Sequence, residues 1–573
     1  MLKKCIRCVA IFTLFQVFPT PTLALEFGTD GGIEGHFDTT LSWGAAWRVQ
    51  DRSAGLIGIA NGGTAYSVNG DDGDLNYSKG LISNAIKATH DLDIRYRNFG
   101  AFFRASYFYD HYNENKDVLS PEAKDKVGKD ADILDAYIRG SFDVNGRALD
   151  IRVGKQVVSW GESTFIQNSI NVINPVDVSK LRVPGAELRE ALLPIPMIWA
   201  SHQLSDNLSF EALYITGFDH TEIDPRGTYF STNDFASDGG QYVVTGFGLI
   251  DDDACGTASP FSAFCVPRAP DRKAKDRGQY GAALRWLAPE LNDTEFGFYY
   301  MNYHSRLPLI SAIAASNPTQ TPSAANTAQY FVEYPEDIHM FGVSFNTVLP
   351  DSGIALQGEY SYRSNVPLQV EDVEILFSAL CSAASQLGAC PAGPGGEITG
   401  YRRHEVGQLQ FTATKIIGAE NPFKASQWVL LGEVGISHVY DLPSKGVLRY
   451  EGPATYLPGN PAVAGSLSLP TQNGGYADAT SWGYRIVTRL DYNSVWGAVN
   501  LSPRLAFAHD VHGTSPGPGG NFIEGRKAIT LGLGATYLGQ WSGDLSYTAY
   551  TGGGDFNQVH DRDFVALNVK YSF

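Results

Sequence analysis

Apolar and polar residues alternate along many short segments of the chain, and this period of two predicts β-strands. In the last ten residues, 564–573, every second residue from Val565 to Phe573 is apolar, and the residues between them are Ala566, Asn568, Lys570 and Ser572. A strand that crosses the outer membrane needs about 9–11 residues with apolar side chains towards lipid and polar ones towards the lumen. The alternative is an edge strand of a soluble β-sandwich, but the pattern recurs along the chain and suits a barrel better.

Turn-forming residues separate these segments at alternately short and long intervals. Short connections are predicted at residues 97–100, 144–146, 205–207, 289–293, 350–353, 418–426, 493–495 and 539–540. Long connections are predicted at residues 52–84, 110–130, 159–196, 218–277, 305–336, 364–402, 441–481, 512–525 and 552–561. Short periplasmic turns and long external loops are typical of outer-membrane barrels. With a first strand near residues 36–49, the pattern predicts an all-β, antiparallel transmembrane barrel of about 18 strands (roughly 16–18).

The N-terminal residues have the pattern of a secretory signal peptide. Lys3, Lys4 and Arg7 precede an apolar stretch at residues 9–18, and a small-residue site ends at Ala24. This apolar stretch is too short to span a bilayer. We therefore expect residues 1–24 to be removed and residues 25–573 to form a single barrel domain in the outer membrane of a Gram-negative cell.

Composition agrees with a barrel and excludes some partners. The mean hydropathy is −0.15 despite 31 Phe and 29 Tyr residues, as expected when only alternate strand residues face lipid. The formal net charge of −18 argues against a nucleic acid partner.

Four cysteines follow the predicted signal peptide and fall into two close pairs in polar loops, which predicts the disulfides Cys255–Cys265 and Cys381–Cys390. A metal site would need further His or Cys ligands, which neither loop supplies. The acidic run of residues 251–253 is a weak candidate for calcium and is interpreted as solvated surface. We therefore expect neither a metal nor a cofactor.

Charges of both signs alternate with apolar residues in several predicted strands, which places them on the lumen wall. The candidate wall residues are Asp91, Asp93, Arg95, Asp150, Arg152, Gln357 and Glu359. They could line a passage, or simply solvate a water-filled interior and pair across strands. The residues do not form a ring of one sign, as a pore for a single ion would.

The long connection at residues 159–196 mixes charged and apolar residues. Asp177 or Ser179 is expected to cap a helical turn ending at Arg182, and Pro184–Gly185 to begin a second one. The segment also carries apolar residues that need burial: Val172, Ile173, Val176, Leu181, Leu188, Leu192 and Leu193.

These apolar residues lead us to expect that the segment folds into the lumen as a constriction or plug. An external lid over the barrel rim is the alternative. Its charged residues would pair with wall charges such as Asp150 and Arg152. The candidate residues of the constriction are Trp160, Glu162, Asn174, Asp177, Arg182, Glu187, Arg189 and Glu190.

Several long motifs make the chain recognisable. They are residues 154–165 (GKQVVSWGESTF), 174–177 (NPVD), 184–194 (PGAELREALLP), 227–234 (GTYFSTND) and 358–363 (GEYSYR). In these the sequence resembles a Gram-negative outer-membrane barrel family catalogued as a domain of unknown function. The resemblance covers essentially the whole mature chain. It implies a porin-like barrel associated with lipids, sphingoid bases or other hydrophobic compounds, but it assigns no substrate-binding residue.

The sequence does not favour an enzyme. Ser163 lacks an obvious base, and Glu187 and Glu190 flank Arg189, which favours salt bridges. The first hypothesis is an outer-membrane channel for a hydrophobic or amphipathic, lipid-like compound, taken up or exported. The second is the outer-membrane component of a lipid export system with a periplasmic lipid-carrier protein and an inner-membrane exporter. A structural or adhesive barrel ranks third. In each case outer-membrane lipid and lipopolysaccharide surround the barrel.

Overall fold

The computed structural model describes residues 25–29, 31–257, 259–319 and 324–573, so the predicted signal peptide, residues 1–24, lies outside the described residues. The described strands are β1 (Leu25–Gly28), β2 (Ile33–Arg48), β3 (Gly80–Tyr96), β4 (Phe99–Asp110), β5 (Lys129–Val144), β6 (Arg147–Gln156), β7 (Ile195–Ser205), β8 (Leu208–Ile215), β9 (Tyr242–Val244), β10 (Cys265–Pro267), β11 (Gln279–Ala288), β12 (Thr294–Tyr303), β13 (Leu309–Ile313), β14 (Gln329–Glu333), β15 (Ile338–Leu349), β16 (Ile354–Gln369), β17 (Glu397–Ile398), β18 (Tyr401–Ile417), β19 (Gln427–Val439), β20 (Thr480–Trp496), β21 (Val499–His512), β22 (Lys527–Tyr537), β23 (Trp541–Thr551) and β24 (Phe564–Ser572).

Eighteen of these described strands form a closed antiparallel barrel. Going round the wall, the order is β2–β8, β11, β12, β15, β16 and β18–β24, and β24 pairs with β2 to complete the circle. The short β1 pairs with the first residues of β2, beyond the point where β24 ends. The predicted fold class and strand number are therefore confirmed.

The predicted alternation of short turns and long loops is also found. Within the described residues, eight short turns lie at the end of the barrel that carries both termini, and nine longer connections lie at the other end. One predicted turn, residues 493–495, is wrong. Here β20 continues to Trp496 with an irregular register after Tyr492, and the turn lies at Gly497, whose φ of 61° suits a glycine.

The outer surface of the barrel is apolar and the inner surface polar. On β22, for example, Ile529, Leu531 and Leu533 are exposed, whereas the residues between them face inward. Because closure pairs the backbone groups of all eighteen strands, the wall satisfies the requirement that a bilayer imposes on a spanning structure. The structure is thus that of a transmembrane barrel of the bacterial outer-membrane type.

Short helices occur in the long connections and are α1 (Asp72–Asn76), α2 (His111–Glu114), α3 (Pro121–Val127), α4 (Val178–Arg182), α5 (Leu188–Ala191), α6 (Asp372–Ala379) and α7 (Pro461–Ser466). Single 3₁₀ turns lie at Ala54–Leu56, Ile59–Asn61, Asp252–Ala254, Pro260–Phe264, Pro289–Leu291, Ala325–Thr327 and Gly554–Phe556. Among the residues that the structure describes, no helix has the length and apolar character needed to cross a membrane.

The external loops pack on one another and form a core of their own. Buried residues of four connections meet there, among them Phe235, Val266, Tyr330, Ile375 and Tyr450. Both predicted disulfides are present, Cys255–Cys265 and Cys381–Cys390, with Cα–Cα distances of 5.7 and 4.6 Å. The external loops therefore pack together as one ordered cap at this end of the barrel.

Adjacent residues of β23 provide a test of the sidedness of the wall. Leu545 faces lipid and Ser546 faces the lumen. We expect Leu545→Arg to lower the free energy of unfolding by about 2–4 kcal/mol, because a cation at mid-membrane loses its hydration. The matched Ser546→Arg variant should change it by under about 1 kcal/mol. Guanidinium unfolding in lipid vesicles, followed by tryptophan fluorescence, measures both, and equal losses would contradict the assigned faces.

Candidate functional site: the inner loop and the lumen

The connection between β6 and β7, residues 157–194, lies inside the barrel, and we call it the inner loop. Its first half contacts β8, β15, β16 and β19, and its second half contacts β2, β3 and β24. The two groups of strands lie on opposite sides of the wall. The inner loop therefore crosses the lumen, as the sequence predicted, and is not an external lid.

Two wall carboxylates hold the first half by its backbone. Glu433 of β19 accepts hydrogen bonds from the backbone N–H groups of Thr164 (2.8 Å), Phe165 (2.7 Å) and Ile166 (2.8 Å). Glu359 of β16 accepts in the same way from Glu162, Ser163 and Ile170. Because each acid meets several backbone donors, a segment without regular secondary structure is fixed in one path.

The first half of the inner loop also has an apolar anchor. Trp160, Ile170 and Ile173 are buried against the inner faces of β7, β8, β11, β12 and β15. Glycines on the wall make room for them. A Cβ atom at Gly342 would lie 2.7 Å from Ile170, and one at Gly281 would lie 2.9 Å from Trp160. The indole N–H of Trp160 donates to Glu211 at 2.9 Å, which satisfies its polar edge.

Polar residues within the inner loop fix its local shape. The Asn174 side chain accepts from Val158 N–H (2.9 Å) and donates to the carbonyls of Gln156 (3.1 Å) and Leu193 (2.9 Å), so it ties the two ends of the loop together. Asp177 caps α4, as one of the two predicted alternatives. The second helix does not begin at residues 184–185 as predicted. It begins at Leu188, because Glu187 and Glu190 form a reciprocal capping box there.

Ion pairs attach the second half to the opposite wall. Glu190 binds Lys87 and accepts a 2.9 Å hydrogen bond from Thr89, both on β3. Glu187 binds Lys570 of β24 at 2.8 Å. Arg189 joins these contacts, at 2.7 Å from Glu187 and 3.1 Å from Asp91 of β3.

The partners of these charges differ from those we expected. Among the described residues, Asp150 and Arg152 make no ion pair with the inner loop. Asp150 accepts from Ser141, and the Arg152 guanidinium lies over the Trp199 ring. Both belong to β6, which is next to the start of the inner loop, whereas its charged half has crossed to β3 and β24. The order of the strands around the barrel therefore determines which wall residues form ion pairs with the inner loop.

The other predicted residues lie on or near the wall. Asp93 pairs with Arg139 and Arg95, and Gln357 lies two residues from Glu359 on the same strand. Glu162 accepts a 3.4 Å hydrogen bond from Asn346. The burial that we predicted for the apolar residues of the inner loop is incomplete. Ile173 and Leu193 are buried, but Leu188 is 63% and Leu181 39% exposed.

The inner loop leaves a cavity of about 510 Å³ on one side of the lumen. The cavity lies between residues 181–186 and the inner faces of β21–β24. A second cavity, of about 350 Å³, lies along β2 and β24 towards the C-terminal Phe573 and is lined by Arg189. Lys570 lines the first cavity and Arg189 lines the second, and both side chains bind Glu187.

Basic side chains predominate in the larger cavity. Its charged lining consists of Arg182, Arg504, Lys570 and Asp544. Asp544 is bound by Arg504, with one contact of 2.8 Å, and Lys570 is bound by Glu187. Arg182 is the least neutralised cation, because its acid partner, Asp224, is 3.8 Å away and its guanidinium lies 4.5 Å above the Phe230 ring.

The sequence analysis did not single out several of these wall residues. Glu433, Lys87, Arg504 and Asp544 were missed. For Glu433 a signal was present, because it is a lone charge between Gly432 and the apolar–glycine alternation that follows. Lys570 had been placed on the polar face of the last strand, but its partner could not be identified from the sequence.

Comparison with known proteins identifies the family. Residues 6–573 match the family described as "Protein of unknown function (DUF1302)". The chain belongs to this family. No curated protein was found to match the sequence of this DUF1302 member.

Solved structures similar to this DUF1302 chain are bacterial outer-membrane proteins. OccAB4 of Acinetobacter baumannii has a TM-score of 0.41 and 12% identity, with 97% of this chain and 100% of that chain covered. OpdK of Pseudomonas aeruginosa, solved with vanillate, has a TM-score of 0.39 and 10% identity, with coverages of 94% and 98%. A BenF-like porin of Pseudomonas fluorescens Pf-5 has a TM-score of 0.40 and 10% identity, also with 94% and 98%. Likeness at this level assigns no substrate.

The contacts of Glu433 generate a prediction. We expect Glu433→Ala to lower the free energy of unfolding by at least about 3 kcal/mol, because three loop N–H groups lose their acceptor at roughly 1–3 kcal/mol each. Glu290→Ala, in an exposed periplasmic turn, is the matched control and should have little effect. Guanidinium unfolding in detergent micelles measures both, and an unchanged Glu433→Ala midpoint would contradict the anchoring role.

Proposed function

We propose that this protein is an outer-membrane channel for a small amphipathic organic compound, with the inner loop as its constriction. The observation that supports this most is that the inner loop crosses the lumen but leaves a cavity of about 510 Å³ against β21–β24. A barrel built only for adhesion or rigidity has no need of such a space. An 18-stranded wall is wide enough to keep an aqueous lumen even when a loop narrows it.

The narrow point of the proposed path is the ion pair of Glu187 and Lys570. Glu187 binds Lys570, which lines the larger cavity, and at 2.7 Å also Arg189, which lines the cavity near Phe573. A solute that moves between the cavities has to displace or pass these side chains. Partly exposed ion pairs of this kind stabilise by only about 0–1 kcal/mol, so their rearrangement is energetically accessible.

The lining of the larger cavity supports an amphipathic solute with an anionic end. Leu181, Val183, Phe230 and Phe564 provide apolar surface, and Arg182 provides a cation that is only weakly neutralised. The volume lies in the range of sites for small organic ligands, roughly 300–1,000 Å³. A short lipid-like or aromatic anion therefore suits the cavity better than a sugar.

The export alternative lacks a supporting observation. The described periplasmic turns range from two residues at 97–98 to nine at 418–426, and so offer no extended surface for a periplasmic carrier. A carrier protein and an inner-membrane exporter stay predictions from the resemblance.

Flux into proteoliposomes tests the substrate class. We expect an alkyl sulfonate below its micellar concentration to enter faster than an alkyltrimethylammonium of equal chain length, and both faster than a disaccharide of similar size. Sulfonates are used because they stay charged and do not cross lipid unaided. Protein-free vesicles give the background. Uptake of the sugar alone would refute the amphipathic substrate, and no uptake of any solute would refute the channel.

Arg182 should control charge selectivity. We expect Arg182→Gln to shift the reversal potential of a planar bilayer in a salt gradient towards cations, because the cavity loses its least neutralised positive charge. Arg147→Gln is the matched control, since Arg147 pairs with Asp206 at a periplasmic turn outside the cavity. Equal shifts in the two variants, or none in Arg182→Gln, would contradict the assigned path.

A further inference from the structure

Three aspartates of two external loops meet above the lumen. Asp71 lies directly before α1 and Asp72 is its first residue, both in the loop after β2, whereas Asp234 belongs to the loop after β8. One carboxylate oxygen from each lies within 4.8 Å of the other two. The sequence gave no sign of this cluster, because 162 positions separate Asp72 from Asp234.

Two of these carboxylates are buried, and each has one oxygen atom that accepts no hydrogen bond within the described residues. Asp71 is 1% and Asp234 5% exposed. The Oδ2 atom of Asp71 accepts from Gly58 N–H (2.8 Å) and Asn61 (2.9 Å), and that of Asp234 accepts from Asp72 N–H (3.3 Å). Among the described residues, the Oδ1 atom of each has no hydrogen-bond donor. A buried acceptor without a partner is costly, and a bound cation would satisfy both of these oxygens.

The surrounding charges do not neutralise the cluster. Arg226 donates to Asp72 at 2.6 Å and also binds Asp252, so one guanidinium serves both of these acids while Asp71 and Asp234 have none. The next arginines, Arg48 and Arg562, are bound to Asp74 and Asp561.

We propose that Asp71, Asp72 and Asp234 bind a calcium ion that joins the two loops. Ca²⁺ takes six to eight oxygen ligands at about 2.3–2.6 Å in flexible geometry, so carboxylate oxygens up to about 4.8 Å apart can share it. Mg²⁺ needs a tighter octahedron, and zinc and copper favour nitrogen or sulfur ligands. Asp72 is 16% exposed, and water can complete the shell from its side.

The site is distinct from the acidic run at residues 251–253, which the sequence had suggested as the weak calcium candidate, and Arg226 stands between Asp72 and Asp252 of that run. It also departs from our expectation that the chain binds no metal. Its position links it to the lumen, because Phe230, which lines the larger cavity, lies four residues before Asp234. A bound ion would hold this part of the cavity wall against the loop after β2.

Calorimetry on the full mature chain in detergent tests the proposal. After treatment with EGTA, titration with CaCl₂ should show one ion bound per chain, and Asp71→Asn and Asp234→Asn should each weaken binding by at least about tenfold. Asn has nearly the same shape but lacks the charge. Asp253→Asn, in the exposed acidic run, is the matched control and should leave binding unchanged. Solute flux is not measured, so the result is independent of the proposed channel.

Melting temperatures provide a second measurement. Calcium should raise the Tm of the wild type and of Asp253→Asn but not that of Asp71→Asn or Asp234→Asn. If an Asn variant does not refold, the wild-type titration and its calcium-dependent Tm still decide. Absence of binding, or binding kept in both site variants, would overturn the proposal, and the carboxyls would then share protons instead. Loss of binding in Asp253→Asn alone would place the ion at the acidic run.

Discussion

Pairing of the last strand with the first is the interaction on which the structure depends. β24 and β2 are paired from Thr40–Ser572 to Arg48–Phe564, and Thr39 and Phe573 exchange two further backbone hydrogen bonds of 2.7 and 2.9 Å. Without this seam the sheet would present two open edges to lipid, where each unpaired amide costs several kcal/mol. The same seam gives the lumen a complete wall, and everything inside it depends on that wall.

A closed wall has consequences for the residues that point inward. Glu433 and Glu359 are almost completely buried in the barrel, and the cost of burying them is offset because backbone donors of the inner loop surround them. Conversely, the irregular backbone of the inner loop can lie at membrane depth because these acids accept hydrogen bonds from its N–H groups. The wall carboxylates and the backbone N–H groups of the inner loop therefore satisfy each other's hydrogen bonds, and neither would be stable when buried alone.

The sequence was sufficient for the barrel and only partly sufficient for the lumen. Alternation in segments such as residues 564–573 depends on one residue and its immediate neighbours, so strands, turns and loops could be predicted locally. The inward path of the inner loop followed from its apolar residues. The partners Lys87, Lys570 and Glu433 could not be predicted, because they depend on which strands stand opposite each other after closure. The irregularity after Tyr492 was missed because turn-forming residues also occupy bulges.

The inner loop is attached unequally on its two sides, and this difference indicates which side can move. Its first half buries Trp160, Ile170 and Ile173 and gives its backbone donors to two acids, so displacing it would expose apolar surface and unpaired amides. In its second half the buried Glu190–Lys87 pair fixes α5 to β3, whereas the side chains at the cavity, Glu187, Arg189 and Lys570, remain partly exposed. Water can replace their contacts at little cost. A change in the width of the passage therefore belongs to the β24 side, and the β15–β19 side acts as its fixed support.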